Sequence, residues 1–431
     1  MLFLFYGMVE TVTTTLKVHL LTGGSEKELL EKAAVAYRDA CNYVSDYIFE
    51  SGNEKVYSLN RVLYAELRSR FGLKAQMAQS VLKTVVAKYA SVRSNGHERT
   101  RIRFRQPQCD LVRGRDWSYT KGVLSVNTLD VRLRLPFYGD FAFAEDRCKY
   151  GTARLVIDSK GRCFLHIPVG REVAVPDRAD VTSVVGIDRG ILKPVVAYDG
   201  KKTTFVQGRA IKMRHAKFLA LRKELQQRGT PSARRRLKRI GQRENRWMSD
   251  VNHCISKALV ESSPAGTMFV LEDLKGIRGA TERVRVKDRY LSVCWSYYDL
   301  EQKLTYKAAL AGQTVVKVSP EYTSQRCPVC GSIDKHSRDK SKHSYCCTGC
   351  GYRSDDDRIG AMNLYQLGLD YLKGIGHPKI QSPSGKPGGG GRSQPSCDVT
   401  SRRKAKRGRS YSDKDDACTS GELQAHEFIR G

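Results

Sequence analysis

Val184-Val185-Gly186-Ile187-Asp188-Arg189-Gly190, followed by Pro194-Val-Val-Ala-Tyr-Asp-Gly200-Lys-Lys-Thr-Thr-Phe-Val206, is the stretch on which the fold turns. Short apolar runs separated by turn residues read as three consecutive strands, with a hairpin at Gly200 and a carboxylate at the end of the first strand. A second apolar strand, Thr267-Met-Phe-Val-Leu-Glu272, also ends on an acid, and the cluster Asp355-Asp356-Asp357 leads into a helix. A carboxylate at the end of a buried strand is costly without compensation, and a divalent metal is the usual compensation. Any one of these acids alone reads as an ordinary surface residue. A three-strand meander with one acid, a later strand with a second and a helix with a third form the pattern of a ribonuclease-H-like fold. Asp188, Glu272 and an acid of the 355–357 run are then expected to converge on one or two Mg²⁺ ions for in-line phosphodiester hydrolysis.

Between the second and third acids lies Cys327-Pro-Val-Cys330, then sixteen intervening residues, then Cys347-Thr-Gly-Cys350. Two close cysteine pairs can present four thiolates to one tetrahedral ion, and Zn²⁺ is the metal this pattern selects. With all four positions filled by protein, that zinc is expected to be structural. Gly331 and Gly351, directly after each pair, suit the tight turns required. Cys346 breaks the spacing, and His336 and His343 read as surface residues. The other cysteines are scattered, as in a reducing compartment.

The chain has 431 residues, with 75 Lys and Arg against 45 Asp and Glu, a formal charge of +30 that calls for a polyanionic partner. Between 209 and 246, two helical stretches carry fourteen Lys or Arg against two Glu. Arg234, Arg235, Arg236, Lys238, Arg239, Arg243 and Arg246 occupy more than one helix face, whereas a merely solvated helix interleaves both signs. They are expected to contact a nucleic-acid backbone.

Upstream, residues 9–22 alternate as a strand, helices follow through about 93, and short alternating segments begin at Arg101-Ile-Arg-Phe-Arg105 and recur at Val131-Arg-Leu-Arg-Leu135 and from Ala153. Their alternating arginines suit a phosphate-facing surface and a solvated face equally well. A helix is expected from about 291 to 311, with Tyr297, Leu300, Leu304 and Ala308 on its packed face. The apolar start Met1-Leu-Phe-Leu-Phe-Tyr is too short for an export signal, and Met8 is a second candidate start. No run approaches the roughly 20 apolar residues of a spanning helix, so no membrane association is expected and placement is cytoplasmic, at the nucleoid. After about residue 375 the chain turns to Ser382-Pro-Ser-Gly-Lys-Pro-Gly-Gly-Gly-Gly391 and a basic run at 402–409, the composition of a disordered tail.

These motifs together resemble the RuvC motifs and interrupted zinc ribbon of TnpB proteins and their compact type V CRISPR relatives. The resemblance rests on Gly186-Ile-Asp188-Arg-Gly190, Leu271-Glu272-Asp-Leu274, Tyr322-Thr-Ser-Gln-Arg-Cys327-Pro-Val-Cys330-Gly331 and Asp357-Arg-Ile-Gly-Ala-Met-Asn363-Leu364, within roughly 181–372. Asn252-His253 and the segment from Trp295 to Lys307 are also similar. Where relatives show Asp-x-Asn-Ala-Ala-x-Asn, this chain has Ile359 and Gly360. Ala361, Asn363 and Leu364 therefore set the register that selects Asp357 over Asp355 or Asp356.

The resemblance implies an α/β multi-domain protein: a β-barrel-like wedge over 1–180 with a helical recognition insertion at about 25–95, a nuclease domain over 181–325, a zinc ribbon at 326–352, the end of the nuclease domain at 353–375 and a basic tail at 376–431. It implies a transposon-encoded RNA-guided DNA endonuclease, expected as a monomer, that holds a guide RNA, pairs it with double-stranded target DNA and checks a short adjacent motif. A nuclease-dead, DNA-binding repressor would have lost one or more acids, and all three are present. A transposase proper would not carry the interposed ribbon, and a plain zinc-ribbon adaptor would leave the acids without a role. A compact CRISPR effector differs by its neighbouring DNA rather than its residues.

Overall fold

The computed structural model describes residues 8–120, 122–139, 148–190, 192–274, 297–339, 341–381 and 421–423. It divides into two compact units, Thr11–Glu172 and Val173–Gly431 together with Met1–Glu10.

In the first unit, β1 (Met8–Leu20) leads into three helices, α1 (Gly24–Ser51), α2 (Val56–Phe71) and α3 (Ala75–Ser94). Gly52 and Gly72 end the first two helices in the left-handed conformation that favours glycine. Strands β2 (Gln108–Leu111), β3 (Trp117–Thr120), β4 (Val123–Asn127), β5 (Arg132–Leu135), β6 (Phe137–Tyr138), β7 (Cys148–Tyr150), β8 (Ala153–Ile157) and β9 (Cys163–Val175) follow. They form a six-stranded sheet, β2-β8-β9-β1-β6 with β7 on β9, and a three-stranded sheet, β3-β4-β5. Leu30, Tyr37, Leu63, Met77, Trp117 and Leu165 belong to one core that joins helices and sheets.

Arg101–Arg105 alternates like a strand but forms none. Its backbone is satisfied by α1 instead. Asn42 accepts from the Phe104 N–H at 2.8 Å and donates to the Phe104 carbonyl at 3.1 Å, while Ser45 donates to the Ile102 carbonyl at 2.8 Å. Arg103 pairs with Asp46 at 3.0 Å, and Arg101 pairs with Asp46 and Glu50. The alternation serves a helix surface rather than a neighbouring strand.

The second unit is built on a sheet of order β14-β13-β10-β11-β12-β18. Its strands are β10 (Ser183–Asp188), β11 (Val195–Tyr198), β12 (Thr203–Val206), β13 (Thr267–Glu272), β14 (Thr314–Val318) and β18 (Gly421–Leu423). The first three form the antiparallel meander, turning at Gly200 with φ of 95°. β13 then pairs parallel to β10, and β14 parallel to β13. Parallel pairing needs a crossover, and the helices α4 (Arg209–Arg228) and α5 (Pro231–Glu261) supply the first, with α6 (Tyr297–Leu310) in the second. Residues 291–296 of the expected helix lie outside the described residues.

α7 (Asp356–Leu372) packs on the sheet at unusually short range. A Cβ on Gly186 would lie 2.2 Å from the Ala361 carbonyl oxygen, and one on Gly368 would lie 2.6 Å from Val270. Glycine at these positions is what lets helix and strand backbones meet. Residues 376–381 continue the fold, with Ile380 packed among Val184, Met268 and Leu367. Gly421–Leu423 runs parallel to β12, and the rest of the expected tail lies outside the described residues. Among the described residues, no helix is long and apolar enough to cross a membrane.

Candidate metal centre and acidic site

The ribbon lies between β14 and α7. β15 (Arg338–Asp339), β16 (Ser344–Cys346) and β17 (Arg353–Asp355) form its small antiparallel sheet. The cysteine turns on either side match each other. Gly331 N–H donates to the Cys327 carbonyl at 3.0 Å and Gly351 N–H to the Cys347 carbonyl at 2.9 Å, with φ of 74° and 76°. Cys327 and Cys350 Sγ stand 3.7 Å apart, Cys330 and Cys347 Sγ 3.5 Å, and all four lie within 4.8 Å of one another. Four ligands at about 2.3 Å around a tetrahedral ion are separated by about 3.8 Å, so the donor set fits a thiolate-bound metal.

α7 starts on the run of three acids, and each has a different surrounding. Asp355 is the N-cap, accepting from the N–H groups of Asp357 at 3.1 Å and Arg358 at 3.3 Å. Asp356 is buried; Arg338 Nε donates to its Oδ2 at 2.8 Å, and His343 Nδ1 stands 3.5 Å from its Oδ1. Asp357 is half-buried, 3.5 Å from both Lys193 Nζ and Arg338 Nη2. His343, expected as a plain surface residue, thus reaches the acidic run.

Asp188 closes β10, Glu272 closes β13, and the two strands are neighbours. Burial, then the charges of Glu272 and Asp357, push the Asp188 carboxyl up to about 8. Asp357 is the member of the run named among the charges that raise Asp188. The Glu272 carboxyl is raised by burial, opposed by a 2.6 Å hydrogen bond from Thr323 and by Arg189 and Arg338. Asp357 is raised by burial and by Asp356 and Asp355, opposed by Lys193 and Arg338. Partly buried carboxylates that each favour a proton are the hard-oxygen groups a divalent cation prefers, and among the described residues the three whose donor atoms already lie within 4.8 Å of one another are His343, Asp356 and Asp357.

Sequence reasoning missed several residues here. Arg338, from the ribbon, lowers the proton affinity of all three acids. Lys193 pairs with Asp355 and Asp357 from the turn after β10. Tyr297 packs partly on the core, but its phenol also feels Asp188 and Glu272, and is raised to about 12, first by burial. Each is a contact across segments far apart in the chain, with no local spacing to mark it. Asn363 was visible as a motif residue, and its task is clear in three dimensions: its amide donates to the carbonyls of Thr323 and Arg326, both at 2.8 Å, fixing the entrance to the ribbon against α7. Asn252 donates to Asp299 at 2.9 Å and Lys307 to Ser256 at 2.9 Å, tying α5 to α6.

Arg234, Arg235, Arg236, Lys238, Arg239, Arg243 and Arg246 are all exposed along α5. The site does not include them. The neighbouring Glu244 is buried against His215, 2.9 Å away, and Arg222.

Fold and site together define an α/β protein with a four-cysteine ribbon set in the chain between a sheet with strands ending on Asp188 and Glu272 and a helix that opens on three acids. Residues 297–364 match the family model described as Cas12f1-like, TNB domain. The chain is related in sequence to the Cas12f1 and TnpB-like proteins. It is 30% identical over 224 residues to the CRISPR-associated endodeoxyribonuclease Cas12f1 of Syntrophomonas palmitatica, covering 47% of this chain and 42% of that protein. It is 28% identical over 190 residues to a TnpB-like protein of Methanocaldococcus jannaschii, covering 42% of this chain and 67% of that one. The chain therefore spans less than half the length of that Cas12f1 relative. Among solved structures, the mini-RNA-guided endonuclease CRISPR-Cas_phi3 superposes with a TM-score of 0.48 at 11% identity, covering 86% of this chain and 94% of that one.

Proposed function

We propose that this protein is a transposon-encoded RNA-guided DNA endonuclease that cuts target DNA at Asp188, Glu272 and Asp357. The observation that carries the reading is geometric: β10 and β13 run side by side to Asp188 and Glu272, and Gly360, three residues into the helix after Asp357, lies directly against the Asp188 carboxylate. The order of the second sheet, a meander continued by two parallel strands, is that of a ribonuclease-H-like nuclease domain. Relatives named as endodeoxyribonucleases and TnpB-like proteins support the same activity.

In this reading the three carboxylates hold one or two Mg²⁺, which when bound would supply the activated water and stabilise the leaving 3′ oxygen. Thr323 orients the Glu272 carboxylate. Asp355 caps α7, and Lys193 and Arg338 hold Asp357 at the first turn. The four cysteines hold one structural Zn²⁺, which keeps Arg338 beside the acids. The wedge and recognition domains lie within the first unit, the exposed row on α5 holds nucleic-acid backbone, and base pairing between guide RNA and DNA supplies sequence discrimination. The protein works in the cytoplasm at the nucleoid, as a monomer. The DNA beside the gene, transposon ends or a CRISPR array, separates the transposon reading from that of a compact type V effector.

The test is to purify the chain with RNA expressed from its locus, sequence that RNA, and assay Mg²⁺-dependent cleavage of a randomised target library. Discrete RNA and cleavage beside a fixed motif are expected. Absence of a discrete RNA overturns the guided reading, and binding without cutting favours a repressor.

A further inference from the structure

The pairing of β10 with β13 runs from Ser183 and Thr267 to Ile187 and Leu271. Asp188 and Glu272 come next. Each is held on its outer side, Asp188 opposite Val196 of β11 and Glu272 opposite Val318 of β14, but the pairing between their own strands has ended. At this point two acids that must keep a fixed separation lose the ladder that would fix it.

Arg189 stands there, its side chain 1% exposed. Its Nη2 donates to the Glu272 carbonyl at 2.5 Å, and its Nη1 donates to Glu301 Oε2 at 3.2 Å and to the Tyr297 carbonyl at 3.4 Å. Lys317 donates to Glu301 Oε1 at 3.0 Å, so Glu301 sits between two cations from two different strand ends. A planar guanidinium with several donors in a fixed fork suits such a three-way junction, where a lysine would reach fewer acceptors.

We propose that Arg189 is a positioning residue: it clips the end of β10 to the end of β13 and to the first turn of α6, and so sets the spacing of Asp188 and Glu272 before a metal arrives. The proposal rests on the nuclease reading for its consequence but not for its geometry. Arg189 need touch neither substrate nor metal. It acts through the Glu272 backbone, one bond path from the carboxylate that would be a ligand, and removal of such a supporting group costs about ten- to hundredfold in metal affinity.

Arg189→Met alone leaves Glu301 partly uncompensated in the interior and is open to misfolding. The decisive variant is therefore Arg189→Met/Glu301→Met, which removes both buried partners while Lys317, at 36% exposure, returns to water. The full chain with its co-purified RNA is titrated with Mn²⁺ and followed by electron paramagnetic resonance, counting only the Mn²⁺ that Asp188→Asn fails to bind. Thermal melting is recorded alongside. The double variant is expected to melt like wild type and to bind Mn²⁺ about tenfold more weakly or worse. Glu301→Gln, which keeps the bond to Glu272, is expected to lose less than about threefold by the same reasoning.

A folded double variant with wild-type Mn²⁺ affinity overturns the proposal. So does one that melts far below wild type, which assigns Arg189 to stability alone, or a Glu301→Gln variant as weak as the double. Cleavage is scored separately. Wild type that binds Mn²⁺ without cutting overturns the nuclease reading and leaves the clip to be judged on Mn²⁺, while wild type that binds none overturns both.

Discussion

Gly360 faces Asp188 so closely that a Cβ at this position would lie 2.8 Å from Asp188 Oδ2 and 2.9 Å from its Cγ. In the relatives' pattern this place in the helix is occupied by alanine. Here the missing methyl is the space into which the first acid leans. Gly360→Ala would ordinarily favour a helix by about 1 kcal/mol. Expected instead is a displaced Asp188 carboxylate and a loss of cleavage of about tenfold or more, without the gain in melting temperature that the helix alone predicts.

The three acids opening α7 have separable effects. Asp357→Asn is expected to abolish cleavage and leave RNA co-purification intact. Asp355→Ala removes a cap and costs about 1 kcal/mol of stability. Asp356→Asn leaves Arg338 without its buried partner and costs about 3 kcal/mol. Melting curves and cleavage assays on the three variants check the assignment; cutting retained in Asp357→Asn moves the third acid elsewhere in the run.

The Asp188 carboxyl, raised to about 8, makes metal-free stability depend on pH. The folded chain holds a proton that the unfolded chain releases near pH 4, so the contribution of this one group to stability is full below about pH 4 and is lost as pH rises through 8. Metal must displace that proton, and the Mg²⁺ needed for half-maximal cleavage should fall as pH rises from 6 to 8 and level off above. Melting of the metal-free chain at pH 6 and 8 should differ in wild type and less so in Asp188→Asn.

One zinc per chain is expected by elemental analysis. Cys347→Ser, or a strong chelator, should release it and lower cleavage together with melting temperature, because Arg338 is carried by the ribbon. Full activity in zinc-free protein would remove the ribbon from the site.

Replacing Arg235, Arg239, Arg243 and Arg246 by alanine should weaken retention of RNA and flatten the dependence of binding on salt by roughly one unit for each phosphate no longer neutralised. Stability should be unchanged, since all four are exposed. Filter binding at several salt concentrations measures both.

The meander, the strand ending at Glu272 and the paired cysteines were legible because each is local: alternation, a turn glycine, a two-residue gap. The strand expected at Arg101–Arg105 was not, since its alternation answers to Asn42 and Ser45 on a helix some sixty residues earlier. The same reason hid Lys193, Arg338 and Tyr297. Their roles arise only when the sheet, the ribbon and α6 are brought together, and no spacing along the chain records that meeting. Asp357 lies between these cases. Its motif chose the register, and the surroundings of Asp355 as cap and Asp356 as buried ion-pair partner give a physical reason for that choice.

Asn363 also bears on how such a chain can be rebuilt. By gripping the carbonyls of Thr323 and Arg326, it closes a neck where the polypeptide leaves for the ribbon, independently of what lies beyond. The ribbon nevertheless packs on the helix, where Ile359 of α7 is buried with Cys327, Tyr345 and Cys347. Whatever replaces the ribbon must therefore cover Ile359 and return a positive charge to the place where Arg338 now stands.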